Sequence, residues 1–169
     1  YTTIIGGFNN TISHDYSFIG GGEGNSTTQT HNSIGGGKNN LASGRLATIV
    51  GGYGNQNAGD RGVIGGGGVD GVSPSPNNSI AATGTASGIG GGNANQAVNP
   101  GSIVIGGSQN TAAGTYSFIG GGLNNLAGST STSIGGGNNN QSNAQFASIG
   151  GGESNIIAAT GEYSVIGGG

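Results

Sequence analysis

An apolar residue followed closely by a glycine pair or triplet returns every 15 residues along this chain. It stands at Ile4, Ile19, Ile34, Ile49 and Ile64, then at Ile89, Val104, Ile119, Ile134 and Ile149, with one longer step between Ile64 and Ile89. A fixed period of this size marks a repeat architecture in which each unit is one supersecondary element stacked on the next. It also limits what that element can be. A glycine triplet after a strand residue, as in "YSFIGGGLNNLAG" from Tyr116 to Gly128, looks like the start of a phosphate-binding loop. Each such loop would need its own helix within a βαβ unit of about 30 residues, and the spacing leaves no room for one. Two helices and a turn do not fit either. One coil of a β-solenoid with two short strands does. The expected fold class is therefore all-β, a parallel β-solenoid with 15-residue coils and about eleven rungs from Ile4 to Ile166. Parallel pairing sets coils about 4.8 Å apart, so eleven of them make a rod about 50 Å long.

Numbered from the leading Ile as position 1, the unit reads I-G-G-G-x-x-N-x-A-x-G-x-x-S-x. Position 7 is Asn10, Asn25, Asn40, Asn55, Asp70, Asn95, Asn110, Asn125, Asn140 and Asn155. The segments S-x-I and N-x-A alternate as short strands do, and stacking requires the leading Ile column to point inward. The leading column then forms a core, with Ala42, Ala82, Ala97, Ala112 and Ala127 filling the remaining narrow space. The Asn column is expected to satisfy corner carbonyls and to stack amide on amide. The glycine triplet reads as a corner that needs φ > 0 or close stacking, so that Gly121→Val should disrupt the fold locally. Ten extra residues fall near 71–81, "GVSPSPNNSIA", where two prolines argue for a loop insertion between coils rather than a strand. A smaller insertion of two residues around Ile156 to Thr160 moves the next leading residue to Ile166.

One Ile and one Ala per coil make a thin core for fifteen ordered residues, so a second apolar surface is expected to be covered by another chain. Two surfaces offer themselves. Position 13 carries Tyr16, Leu46, Tyr116, Phe146 and Tyr163, and position 15 carries Phe18, Val63, Ile103 and Phe118. Being two apart, they are expected on one side of a strand, and at least one of them faces a partner. The position 5 column runs Glu23, Lys38, Tyr53, which predicts an outer salt bridge between residues that only a stack of coils would bring together.

Composition excludes several classes. With 43 glycines in 169 residues, no cysteine, and three basic against six acidic side chains, there is no disulfide framework, zinc-cysteine site or basic nucleic-acid surface. Glycine at this level otherwise points to collagen or disorder, but here it recurs every 15 residues with an Ile. No run approaches the ~20 apolar residues of a membrane span, and no signal peptide is visible. Tyr1 falls at the position of Tyr16, and Gly169 inside a triplet, so residues 1–169 read as one solenoid segment of a longer repeat protein.

Motifs for chemistry dissolve under the repeat. "GGGVDG", Gly66 to Gly71, matches G-x-G-x-x-G by glycine abundance alone. "GGGGVD", Gly65 to Asp70, matches a calcium nonapeptide, yet Asn replaces the Asp nearly everywhere else. His14 and His31 occupy different repeat positions, and Asp15 and Asp60 are three coils apart, about 14 Å, too wide for two carboxylates on one glycosidic bond. No catalytic, cofactor or metal site is expected. Asn9, Asn25, Asn77 and Asn140 begin N-x-S/T triplets, as an Asn-rich chain does by accident.

The pattern S-x-I-G followed by N-x-A-x-G, as in Ser117 to Gly128, resembles the head repeats of YadA-type trimeric autotransporter adhesins, and also glycine-rich repeats of phage and giant-virus fibre proteins. The similarity covers nearly the whole chain. It implies a left-handed β-roll, three chains together as the favoured oligomer, and a non-enzymatic adhesive head or fibre shaft on a cell or virion surface that meets a host-surface or matrix ligand. The family coil is usually a residue shorter, and its turn is shorter than this triplet. Alternatives are a phage or viral tail-fibre segment for host attachment and an ice-binding β-roll. The last would need a regular outward Thr column, whereas position 12 reads Asp15, Thr30, Arg45, Asp60, Thr85, Pro100.

Overall fold

The computed structural model describes residues 1–69 and 77–169. Among these, every strand is two residues long, and the strands form two parallel sheets. The first sheet has eleven strands at positions 15 and 1, from Thr3–Ile4 to Val165–Ile166, and the second has ten at positions 8 and 9, from Thr11–Ile12 to Ile156–Ile157. Isolated parallel bridges at position 5 join Glu23 to Lys38 and Lys38 to Tyr53. The chain is thus the expected parallel β-solenoid. Register is the repeat itself: Ile19 pairs with Ile34, and Ala112 with Ala127. A parallel pair needs a crossover of a dozen or more residues, and here the rest of the coil is that crossover.

The leading column is fully buried at Ile19, Ile34, Ile49, Ile64, Val104, Ile119, Ile134 and Ile149 and nearly so at Ile89. Ile4 and Ile166 occupy the terminal coils and are incompletely covered. Ala42, Ala97, Ala112 and Ala127 are buried beside the leading column. Position 14 is the next inward column, with Ser17, Asn32, Ala47, Ser87, Ser102, Ser117, Thr132 and Ala147 buried.

The Asn column is a hydrogen-bonded ladder from Asn10 to Asn55 and again from Asn78 to Asn155, buried except at its two ends, and Asn55 Oδ1 at the break has no partner among the described residues. Asn125 shows the pattern. Its Nδ2 donates to the carbonyls of Gly121 in its own coil and Gly137 in the next, both at 3.0 Å. Its Oδ1 accepts from the backbone N–H of Asn140 at 2.9 Å and from the Asn140 side chain at 3.2 Å. The same contacts recur at Asn25, Asn40, Asn95, Asn110 and Asn140. A primary amide is the one short side chain with both two donors and an acceptor, so it can close a glycine corner and hand the bond on to the next coil.

Position 4 glycines have φ near 90°, as Gly122 does at 91°. The left-handed corners extend to positions the sequence leaves unmarked. Position 6 is left-handed at Asn39, Gln109 and Asn124, and position 13 at Tyr16, His31, Leu46, Arg61, Tyr116 and Phe146. Such a conformation is costly for a bulky residue. It is held by backbone bonds that run against the prevailing direction: Tyr116 N donates to Pro100 O at 2.9 Å and Arg61 N to Arg45 O at 2.8 Å, each in the preceding coil.

The long unit corrects the repeat alignment. Asn78, not Asp70, occupies the Asn column: its Nδ2 donates to Gly66 O at 2.8 Å and Gly92 O at 2.9 Å, and its Oδ1 accepts from Asn95 N. Ile80, not Ala82, fills position 9, and Ser79–Ile80 pairs with both Gln56–Asn57 and Gln96–Ala97. Ala82 is exposed. The expected loop at 71–81 is therefore split. Its part at 71–76, and Asp70, lie outside the described residues, and residues 78–80 belong to the stack. The remainder is a two-residue enlargement of the turn after Ile80, matched after Ile157, and both turns read I-A-A-T-G. A Cβ on Gly84 or Gly161 would come within 2.8 or 2.9 Å of the Ile Cγ2 in its own coil. In these two coils the larger inward side chain comes with a wider turn and a glycine that makes room for it, whereas Ile12, at the same position of the partly exposed first coil, keeps the ordinary turn.

Candidate binding surface

The outer face of the first sheet is the most apolar surface of the rod. Position 15 contributes Phe18, Val63, Ile103 and Phe118, position 2 adds Val50 and Ile105, and position 13 adds Tyr16, Leu46, Tyr116, Phe146 and Tyr163, all exposed. Positions 13 and 15 point outward as the sequence predicts, but they are not alternate residues of one strand. The left-handed turn at position 13 carries its side chain at a corner beside the sheet.

Stacking organises the position 13 column into two tracts. Tyr16 packs on His31 with ring centroids 4.9 Å apart and planes at 13°, and Tyr1 tilts against Tyr16 at 6.2 Å. At the other end Phe146 stacks on Tyr163 at 5.1 Å and 10°. Near the middle the column falls to Arg61, Ala86 and Gly101, and a Cβ on Gly101 would run into the Tyr116 ring.

Charged groups pair along columns. Lys38 Nζ lies 3.1 Å from Glu23 Oε2, as the position 5 register requires, and both side chains are about half exposed. Arg45 Nε lies 3.9 Å from Asp60 Oδ2, while Arg45 N donates to Asp60 Oδ1 at 2.8 Å. Neutralising Glu23 as Glu23→Gln should lower stability by only about 0–1 kcal/mol, less in high salt, because exposed pairs are screened. Chemical denaturation at low and high ionic strength measures this, and a loss several times larger would refute the reading of an outer ornament.

His31 stacks on an aromatic ring and His14 is exposed. Among the described residues, no three His, Asp or Glu side chains gather where they could hold a metal ion. The motifs at Gly66–Gly71 and Gly65–Asp70 run into residues outside the described range. The predicted structural columns are brought together apart from two exchanges, Asn78 for Asp70 and Ile80 for Ala82. What sequence reasoning missed is the left-handed corner at position 13 and the bare coil at Gly88; the signal for the latter was a glycine where every other coil has a side chain. No protein-family model matches the chain, and no curated protein does.

Proposed function

We propose that this chain is a non-enzymatic structural and adhesive segment of a fibre on a cell or virion surface. The observation that carries this reading is a rod whose backbone is laddered coil to coil, with most of its exposed large apolar and aromatic side chains gathered on one face. A rod laddered this way resists local opening, which suits a part that must be long, stiff and hard to cleave. Its aromatic tracts provide the second apolar surface that the thin core calls for, so copies associate through Tyr16, Leu46, Tyr116, Phe146 and Tyr163. Three chains is the count that the resemblance to adhesin heads implies. No helix among the described residues is long and apolar enough to cross a membrane.

Light scattering tests the assembly. The expected mass is a multiple of the 16.0 kDa chain, three-fold on this reading, and the double variant Tyr116→Ser/Phe146→Ser should shift it toward the single chain while retaining β-structure by circular dichroism. A folded monomer of the unaltered chain at micromolar concentration would overturn the assembly. The surface role is tested by binding of the purified segment to host cells or matrix against a scrambled-face variant.

A further inference from the structure

One coil of the first sheet presents bare backbone. Position 15 carries a side chain in every strand of that sheet except Gly88–Ile89, and position 2 of the same coil is Gly90. The result is an open slot across the rod of about 420 Å³, within the range of small-molecule sites. Its floor is Ser87 to Gly90, one wall is Arg61 and Val63, and the other is Ile103 and Ile105.

Two observations set this slot apart from a chance gap. First, the backbone does not require glycine at 88. Its φ is not left-handed, and an added Cβ would meet nothing nearer than Val63 O at 4.0 Å, whereas the position 4 glycines have no such space. Second, the wall carries the one basic group not committed elsewhere. The chain has three Lys and Arg; Lys38 pairs with Glu23 and Arg45 with Asp60, while Arg61 makes no ion pair among the described residues. Val63 and Ile103 stand two coil spacings apart, about 9.6 Å. Less the side chains' own radii, that admits one aromatic ring inserted edge-on.

We infer that this slot binds a planar apolar carboxylate, its ring between Val63 and Ile103 and its carboxylate on the Arg61 guanidinium, which presents a fork matched to that group. The site lies where the position 13 column carries no large apolar side chain, so it does not use the tracts through which copies are proposed to associate, although Val63, Ile103 and Ile105 belong to the same apolar face.

The test is a titration of the intact segment with 2-naphthoate, followed by NMR of the Ile and Val methyl groups, with neutral 2-naphthol as the comparison ligand. Saturable shifts are expected at Ile103, Ile105 and Val63, with naphthoate binding about tenfold tighter than naphthol at low salt, a 1.4 kcal/mol difference. Gly88→Val places in the slot the side chain that position 15 carries in the preceding coil, so it should fold and lose naphthoate binding by tenfold or more. Arg61→Gln should reduce naphthoate to the naphthol level and leave naphthol unchanged. Ser133→Val, on the same column outside the slot, should bind as the unaltered chain does. Shifts that fail to saturate, that spread evenly to Val50 and Val165, or that survive Gly88→Val would overturn the assignment.

Discussion

Asn125→Asp is expected to destabilise the coils around it by about 3 kcal/mol or more at neutral pH, although it leaves the number of heavy atoms in the side chain unchanged. Asn125 Nδ2 donates to Gly121 O and Gly137 O and also reaches Asn110 Oδ1, each at 3.0 Å. An ionised carboxylate there would set an acceptor against three acceptors, in a place that is 1% exposed, and breaking a buried polar network in this way costs several kcal/mol. The direction with pH follows. Burial among carbonyls favours the protonated acid, so the variant's folded-state pKa is raised above the unfolded value of about 3.9. The folded state then holds a proton that the unfolded state has lost, and stability falls as pH rises above that value. The variant should therefore approach the unaltered protein in acid and diverge from it toward neutrality. Denaturant melts across that range check this, and a pH-independent loss would show that the amide's donors are not what the column needs.

Gly122→Ala is expected to be comparably severe, at about 3–5 kcal/mol, from left-handed strain plus overpacking. Gly122 has φ 91°, and a Cβ on it would run into Gly137 O, with Gly137 N at 2.8 Å and Asn125 Nδ2 at 2.7 Å. These are the backbone and the amide that hold consecutive coils together, so neither can yield without opening the ladder. Gly121 is different: the nearest atom to its Cβ would be Gly106 O at 4.0 Å. The tight member of the triplet is the third glycine, one residue beyond the position chosen from sequence. Hydrogen exchange should show protection lost in the coils around Gly122→Ala and much less around Gly121→Ala. Equal losses would mean that steric stacking does not decide which glycine is needed.

Much of this was legible because a parallel stack makes each repeat position its own neighbour. The Glu23–Lys38 pair, the buried Ile column and the Asn ladder all follow from counting fifteen residues. The long unit was misplaced because counting six residues on from Ile64 lands on Asp70 and puts the insertion after it, whereas Asn78 holds the column. The corner needs two donors and an acceptor, which Asn78 supplies and a carboxylate does not. That criterion acts through hydrogen bonds to Gly66 and Gly92, which become neighbours only after the coil closes.

From the sequence alone came the coil length, the register and the inward columns, since the period forces identical residues above one another and their polarity says which can be buried. The tertiary structure alone decided the rest. Tyr116 and Phe146 are left-handed because backbone bonds to the preceding coil outweigh the local preference of a bulky residue. Gly88 marks a slot because Val63 and Ile103, remote along the chain, stand on either side of it. Corner conformation and surface relief depend on which atoms of neighbouring coils meet, and that is settled by packing across the stack rather than by any one coil's residues.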